Sequence, residues 1–161
     1  MNEEQVALLE AEFNLIEKEL VEKYIQLGMK ASGKWEKSLE TEVAMSGNKL
    51  TAKITGLNYT EQLVFGRRNG RFPPIDAIKQ WILDKPINFV ESQITLDSLA
   101  FLIARKIATE GTKYFQQGGT DLVEAVITPQ RIQKILNVVG NSYIQPIVTG
   151  LVTQLKNIAK N

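Results

Sequence analysis

Val6, Leu9, Phe13, Ile16, Leu20, Tyr24 and Leu27 recur at intervals of three and four residues. That spacing predicts one long amphipathic helix over residues 3–30, with Gly28 and Gly33 marking its end. The rhythm then changes. Leu39, Thr41, Val43 and Met45 alternate with Glu40, Glu42 and Ala44, which is the period of a half-exposed strand. Ser46-Gly47-Asn48 is turn chemistry, and Leu50, Ala52 and Ile54 alternate again, so a β-hairpin is expected.

Residues 57–72 show no clear period and end in the loop Gly66-Arg67-Arg68-Asn69-Gly70-Arg71. Pro74 suits a first helical turn, where its missing N–H would be unbonded anyway. Ile75, Ile78 and Ile82 then line one face, Trp81 sits beside them, and Lys85-Pro86 stops the helix. Thr95 is placed to cap the next helix. Its Leu96, Leu99, Ala100, Ile103, Ala104, Ile107 and Ala108 cover much of the circumference, which predicts a central core helix ending at Gly111. A loop over 112–119 is expected, then a third strand from Leu122 to Ile127. From Thr128-Pro129 a C-terminal helical region begins, broken near Gly140-Asn141 and Pro146. No internal repeat, linker or low-complexity segment stands out. The expected class is α+β: a long N-terminal helix, a small antiparallel sheet of the hairpin plus the later strand packed on the central helix, and a C-terminal helical arm. Residues 1–128 read as the α+β domain and 129–161 as the arm.

Composition narrows the chemistry. The 161 residues contain no cysteine and no histidine. Zero Cys removes disulfides, Zn–thiolate sites, iron–sulfur clusters and thiol nucleophiles. Zero His removes Ser–His–Asp triads, imidazole-ligated metals and the commonest general base near neutral pH. Carboxylate, Lys, Tyr and Ser/Thr chemistry remain. The cysteine count fits a reducing compartment. The formal charge of +1 exerts no global pull toward nucleic acid or membrane, but it hides a polarity. Residues 1–25 hold seven glutamates and two lysines, whereas 129–161 hold Arg131, Lys134, Lys156 and Lys160 and no acidic residue. The N-terminus lacks the basic region and apolar run of a signal peptide. The longest uncharged stretch, 135–155, carries Asn137, Asn141, Ser142, Gln145, Pro146 and Gln154, which are costly in hydrocarbon, so no membrane span is expected.

Few residues are arranged for catalysis. Gly66-Arg67-Arg68-Asn69-Gly70 lacks the third glycine and the preceding buried strand of a phosphate-binding loop. Asp76 and Asp84 share a short helix without a third carboxylate. Asp76 reads as favourable first-turn charge and Asp84 as surface. The serines have no histidine to activate them, and no spacing supports a Ser–Lys dyad through Lys106. Arg67, Arg68 and Arg71, interleaved with Phe65 and Phe72, form the strongest local charge cluster. Two functions suit it: contact between subunits, or contact with DNA, where three arginines would neutralise few phosphates. Arg105 and Lys106 are an adjacent basic pair that marks the solvent face of the central helix. Trp35 and Trp81 are expected to be core or interface anchors.

Two segments together resemble the tailed-bacteriophage tail-completion (neck, head–tail joining) protein family. The first runs from Tyr59 to Trp81, Tyr-Thr-Glu-Gln-Leu-Val-Phe-Gly-Arg-Arg-Asn-Gly-Arg-Phe-Pro-Pro-Ile-Asp-Ala-Ile-Lys-Gln-Trp. The second runs from Leu99 to Thr112, Leu-Ala-Phe-Leu-Ile-Ala-Arg-Lys-Ile-Ala-Thr-Glu-Gly-Thr. The resemblance covers about residues 5–128. It implies a long helix and hairpin leading to a strand that ends in the Phe-Gly turn, then a Pro-Pro helix with Trp and an Ala-rich helix closed by Gly-Thr. It further implies a structural virion subunit, a homo-oligomeric ring between the DNA-filled head and the tail, with the genome passing through its centre. Portal or connector proteins and tail proteins would be its neighbours, and genomic DNA a non-specific contact. The location implied is the neck or tail region of the virion, and the host cytoplasm during assembly. The family carries over no catalytic residue, so no enzyme, cofactor or metal is expected, and no membrane. Phe65, Gly66, Arg67, Arg68, Pro73, Pro74, Trp81, Arg105 and Lys106 are the matching positions, and the resemblance implies that they serve fold and subunit contact.

A ring of heterologous contacts needs two different, complementary surfaces per subunit. The acidic N-terminal helix and the acid-free arm are candidates for that pair. On the arm, Ile144, Val148, Leu151, Leu155 and Ile158 form an apolar stripe at helical spacing. Such a stripe packs on its own domain or enters a neighbour's groove. The alternative to the ring is a small nucleic-acid-binding module using Arg67, Arg68 and Arg71. A third reading is a carboxylate-dependent hydrolase using Asp76.

Overall fold

The computed structural model of the chain describes residues 3–47, 49–85, 87 and 93–140. Among them the order is α1 (Glu3–Gln26), a 3-10 turn (Glu36–Ser38), β1 (Glu40–Ser46), β2 (Lys49–Thr55), α2 (Thr60–Phe65), α3 (Ile75–Asp84), α4 (Leu96–Glu110), α5 (Lys113–Gln116) and α6 (129–140). The class is mixed helix and sheet, as the two periodicities indicated, with β1 and β2 paired in a two-stranded antiparallel sheet. The chain groups into two compact units. One contains α1 as far as Lys18, the hairpin from Glu40 to Ile54, and the chain from Ile127 onward. The other contains Glu19–Leu39 and Thr55–Val126.

In the first unit the apolar stripe of α1 buries Leu9 and Ile16, with Val6 and Phe13 half-buried beside them. The hairpin keeps the expected alternation: Thr41 and Val43 on β1, and Leu50, Ala52 and Ile54 on β2, are half-buried. Met45, expected on the same face, is exposed. Thr41 Oγ1 donates to Glu17 Oε2 at 2.6 Å, so a polar bond ties β1 to α1. Lys53 and Glu42 form a cross-strand ion pair of 2.7 Å on the exposed face. Helix α6 starts at Pro129, and the Thr128 hydroxyl accepts the Arg131 N–H at 3.2 Å, which satisfies one of the free donors of its first turn.

The second unit has the denser interior. Trp35 is 1% exposed, its ring 4.6 Å from that of Tyr24, and its Nε1–H donates to Thr60 Oγ1 at 2.9 Å. A buried indole is stable only when that N–H finds an acceptor, and Thr60 supplies it while opening α2. Leu20, Met29, Ile82, Ala100, Ala104, Leu122 and Val126 are the other buried apolar residues of this unit. Helices α3 and α4 pack on one another. Ala100 and Ala104, each 0% exposed, are the small residues that allow close approach, and Ile82 is the large one on the facing helix. Lys79 of α3 forms an ion pair with Asp97 of α4, and a longer one of 3.7 Å with Asp76.

Four expectations need correction. The third strand does not form: 121–127 is a run of turns in which Ala125 N–H bonds Asp121 O at 3.0 Å and Val126 N–H bonds Val123 O at 3.1 Å. Leu122 and Val126, four apart, are the buried pair, so the apolar period there is helical and not alternating. Second, a short helix, α2, precedes the Phe65-Gly66 turn where the resemblance implied a strand; six residues are too few to display a period. Third, the stretch 112–119, expected as loop, contains the single-turn helix α5. Fourth, α4 is less enclosed than its sequence suggested. Its buried face is Ala100 and Ala104, Ile103 is half-buried, and Phe101 and Leu102 are exposed. Helix α4 packs on α3. Thr95 caps α4 as expected, accepting Ser98 N–H at 3.2 Å.

Candidate interaction surface

A helix ends with carbonyls that have no partner within it, and α4 meets this need with the basic loop. Gly70 N–H bonds Ala108 O at 2.8 Å, and the Asn69 side-chain amide donates to Thr109 O at 3.4 Å. Two residues beyond α4, Thr112 N–H bonds Arg67 O at 2.9 Å, while Arg67 N–H is accepted by the Thr112 hydroxyl at 2.8 Å. That hydroxyl also caps α5, accepting Phe115 N–H at 3.4 Å. The loop is therefore pinned along the C-terminal turn of α4 by backbone bonds. The end of a helix dipole is also where cations are favoured, which suits the loop's three arginines.

Two glycines make this approach possible. Gly66 has φ +75°, and a Cβ there would stand 2.1 Å from the Phe115 backbone nitrogen and 2.7 Å from Thr112 Oγ1. Gly111 has φ +81°, and a Cβ would stand 2.6 Å from the Phe115 ring and 3.0 Å from Arg67 O. A side chain at either position would drive the loop off the helix. The Phe-Gly of the first segment and the Gly-Thr of the second are thus one joint, made from residues 45 positions apart.

Aromatic side chains surround the joint and remain exposed: Phe65, Phe72, Phe101 and Phe115. Phe72 and Phe101 form a tilted ring pair at 5.9 Å. Arg67 is half-buried, its guanidinium donating to Phe72 O at 3.4 Å. Arg68, Arg71, Arg105 and Lys106 are exposed, and Lys106 has a long ion pair of 4.0 Å with Glu110. Arg105 lies one helical turn from Phe101 on α4, so aromatic and guanidinium groups share a face. Aromatic and arginine side chains are the types most enriched where proteins bind tightly to other proteins. Trp35 is a core anchor, whereas Trp81 is 39% exposed with Lys85 Nζ 5.7 Å from its ring centroid.

The acidic candidates do not converge on a cleft. Asp76 is almost wholly exposed beside Lys79, and Asp84 accepts from the Gln80 amide at 2.9 Å. The phenols of Tyr24, Tyr59 and Tyr114 are pushed up from their ordinary value by burial, so they stay protonated at neutral pH. Among the described residues no group of three His, Cys, Asp or Glu side chains is placed to hold a metal ion, and no helix is long and apolar enough to cross a membrane. Ile144, Val148, Leu151, Leu155 and Ile158 lie outside the described residues.

Sequence reasoning missed three contributors: Thr112, Asn69 and Glu12. A threonine directly after a helix-ending glycine and before Lys113-Tyr114-Phe115 is an N-cap signal, and it would have revealed Thr112. Asn69 and Glu12 act across long separations that carry no local sign. Glu12 accepts from Arg131 Nε at 2.9 Å and from Lys134 Nζ at 3.4 Å. Burial acts to raise the Glu12 carboxyl, but the hydrogen bonds and charges of Arg131 and Lys134 outweigh it, and the net direction is down. No protein-family model, no curated protein and no solved structure matches the chain.

Proposed function

We propose that the chain is a non-enzymatic structural subunit of a tailed phage, forming a homo-oligomeric ring in the neck or at the tail top around the DNA channel. The observation that carries this reading is the joint. The two segments with the tail-completion resemblance meet through Arg67, Gly70, Ala108 and Thr112, so the likeness lies in one piece of architecture and not in two scattered matches. Around it stands an exposed aromatic and arginine face suited to a neighbouring protein. A subunit whose role is shape needs this kind of rigid presentation, with loop, helix end and aromatic ring held by backbone bonds. Its neighbours are its own copies laterally and portal-side or tail-side proteins axially.

The test is light scattering after size-exclusion chromatography, for the chain alone and with portal-vertex and tail proteins added. The reading expects a ring-sized assembly in the presence of those partners, lost when Phe65, Arg68, Arg71 and Phe72 are replaced by alanine. A chain that stays monomeric with every such partner contradicts it.

The alternation of Phe and Arg also favours a second reading, a nucleic-acid-binding module in which exposed rings stack on bases and arginines meet phosphates. Steeply salt-dependent DNA binding by the monomer, abolished by Arg67→Ala, Arg68→Ala and Arg71→Ala together, would select it.

A further inference from the structure

The hairpin of the first unit is a sheet with two open edges. Strands β1 and β2 pair with each other, and among the described residues no backbone group of Glu40–Ser46 or Lys49–Thr55 bonds outside the hairpin. Alternate residues of each strand therefore direct an N–H and a C=O outward, ready to accept another strand. A two-stranded ribbon is marginal by itself, and further strands over an apolar face are what stabilise such a sheet. The strand ends, Ser46 and Lys49, leave a two-residue connection, so Glu42 stands opposite Lys53 and Met45 opposite Leu50. Thr41, Val43 and Met45 share the inner face, yet Met45 is 50% exposed while the other two are half-buried.

Charge marks the two edges differently. On the exposed face β1 carries Glu40 and Glu42, and β2 carries Lys49 and Lys53. β1 has no basic residue and β2 no acidic one. Joining two β1 edges would set glutamates beside glutamates, and joining two β2 edges would set lysines beside lysines. Like charges on neighbouring strands are destabilising. Only β2 against β1 brings opposite charges together, as Lys53 and Glu42 already do within the chain at 2.7 Å. Lysines along an edge blunt it against most strands, but not against a strand that carries glutamates at the facing positions. The pattern therefore selects a second copy of this chain as the occupant, and selects which edge meets which.

We infer that the β2 edge of one copy pairs antiparallel with the β1 edge of a second copy, in the hairpin's own register, so that the sheet continues from chain to chain. The binding mode is addition of a strand to an open sheet edge. In that register each Lys53 stands between the Glu42 of its own chain and the Glu42 of the neighbour. Met45 then lies between its own Leu50 and the neighbour's Leu50, which covers the one exposed apolar residue of the inner face. Strand direction alternates across the contact, so successive hairpins point the same way. Each copy uses two different edges, which is the condition for a heterologous chain or ring. The inference rests on the ring reading for closure into a ring, and on the hairpin edges alone for the contact.

Full-length chains with reversed edges test it by light scattering over a wide concentration range. Glu40→Lys with Glu42→Lys makes both edges basic, and Lys49→Glu with Lys53→Glu makes both acidic. Circular dichroism checks that each folds. A chain with all four changes keeps opposite charges across the hairpin and so separates lost contact from lost folding. The native chain is expected to assemble with rising concentration, and each two-change chain to need a concentration at least about tenfold higher. An equimolar mixture of the two, and the four-change chain alone, are expected to assemble as the native chain does. A native chain that stays at the 18.1 kDa of one copy at every concentration overturns the inference, as does native-like assembly of either two-change chain or a mixture that stays monomeric. The register is read by cross-linking, because the chain has no cysteine of its own. An Ala44→Cys chain and a Thr51→Cys chain, mixed and oxidised, are expected to give the disulfide-linked heterodimer well above its statistical share. A statistical distribution, or an excess of either homodimer, overturns the pairing. Any of these failures removes the hairpin contact and leaves the ring reading to the partner experiment above, which decides it separately.

Discussion

The two units differ in how much apolar core they bury. The unit of Glu19–Leu39 and Thr55–Val126 contains nine of the eleven buried apolar residues among those described, and its loop is fastened by main-chain hydrogen bonds. The unit with the hairpin and α6 buries Leu9 and Ile16 and relies on charged bonds: Glu12 with Arg131 and Lys134, and Glu17 with Thr41. Apolar packing and backbone bonds contain no titrating group, and in the packed unit the ion pairs of Lys79 with Asp97 and Lys23 with Asp121 only supplement them, whereas the carboxylate clasp of the hairpin unit is sensitive to pH. The contrast assigns the denser packing to the unit that carries the aromatic and arginine face, and the acid-sensitive clasp to the unit that carries the hairpin and α6.

The largest effect expected is from Trp35→Ala. Removing the ring that stacks on Tyr24 and bonds Thr60 should cost ~3–5 kcal/mol in denaturant unfolding. A cost below ~1 kcal/mol would mean that the packed unit is not built around this residue. Gly66→Ala comes next, at ~1–3 kcal/mol from the backbone conformation alone, and should shift the amide resonances of residues 67–70 and 112–115. Unchanged resonances there would dissolve the joint between the two segments. Glu12→Gln should cost ~1–2 kcal/mol, because a partly buried, doubly bonded carboxylate lies between an exposed pair and a buried one.

The same clasp predicts a pH dependence. Glu12 has its carboxyl held below the ordinary value of 4.5, so its contribution is fully present above that value and is lost as pH falls through the lower folded value. Amide-exchange protection of α6 should therefore fall in acid before that of α4, and Glu12→Gln should remove the difference. Loss of both helices together would break the comparison between units. The smallest effect is Lys53→Ala on the exposed hairpin face, within ~0.5 kcal/mol, since solvent screens that pair.

What the sequence disclosed follows from locality. The stripe of α1, the alternation of the hairpin, the Thr95 cap and the start of α6 at Pro129 are each written within a few neighbouring residues and stand where expected, except that α1 stops at Gln26, short of residue 30, and Met45 is exposed. Leu122–Ile127 reads as a strand because a run of apolar residues fits two periods, and the burial of Leu122 and Val126 selects the helical one. The exposure of Phe101 and Leu102 was not legible, because a helix apolar on most sides does not say which side its neighbour covers. The basic loop was recognised as a charge cluster, yet its fixation to the end of α4 depends on bonds between residues about 40 apart. Glu12 and Arg131, 119 residues apart, are further still from anything a local pattern encodes.

We propose that this chain is a ring subunit at the head–tail junction. Labelling the chain in assembled tailed particles and imaging them by electron cryomicroscopy tests it most directly. A ring subunit puts the label in a closed ring between the portal vertex and the tail, several copies per particle. Label absent from the particles, or dispersed over capsid or tail fibres, would contradict it.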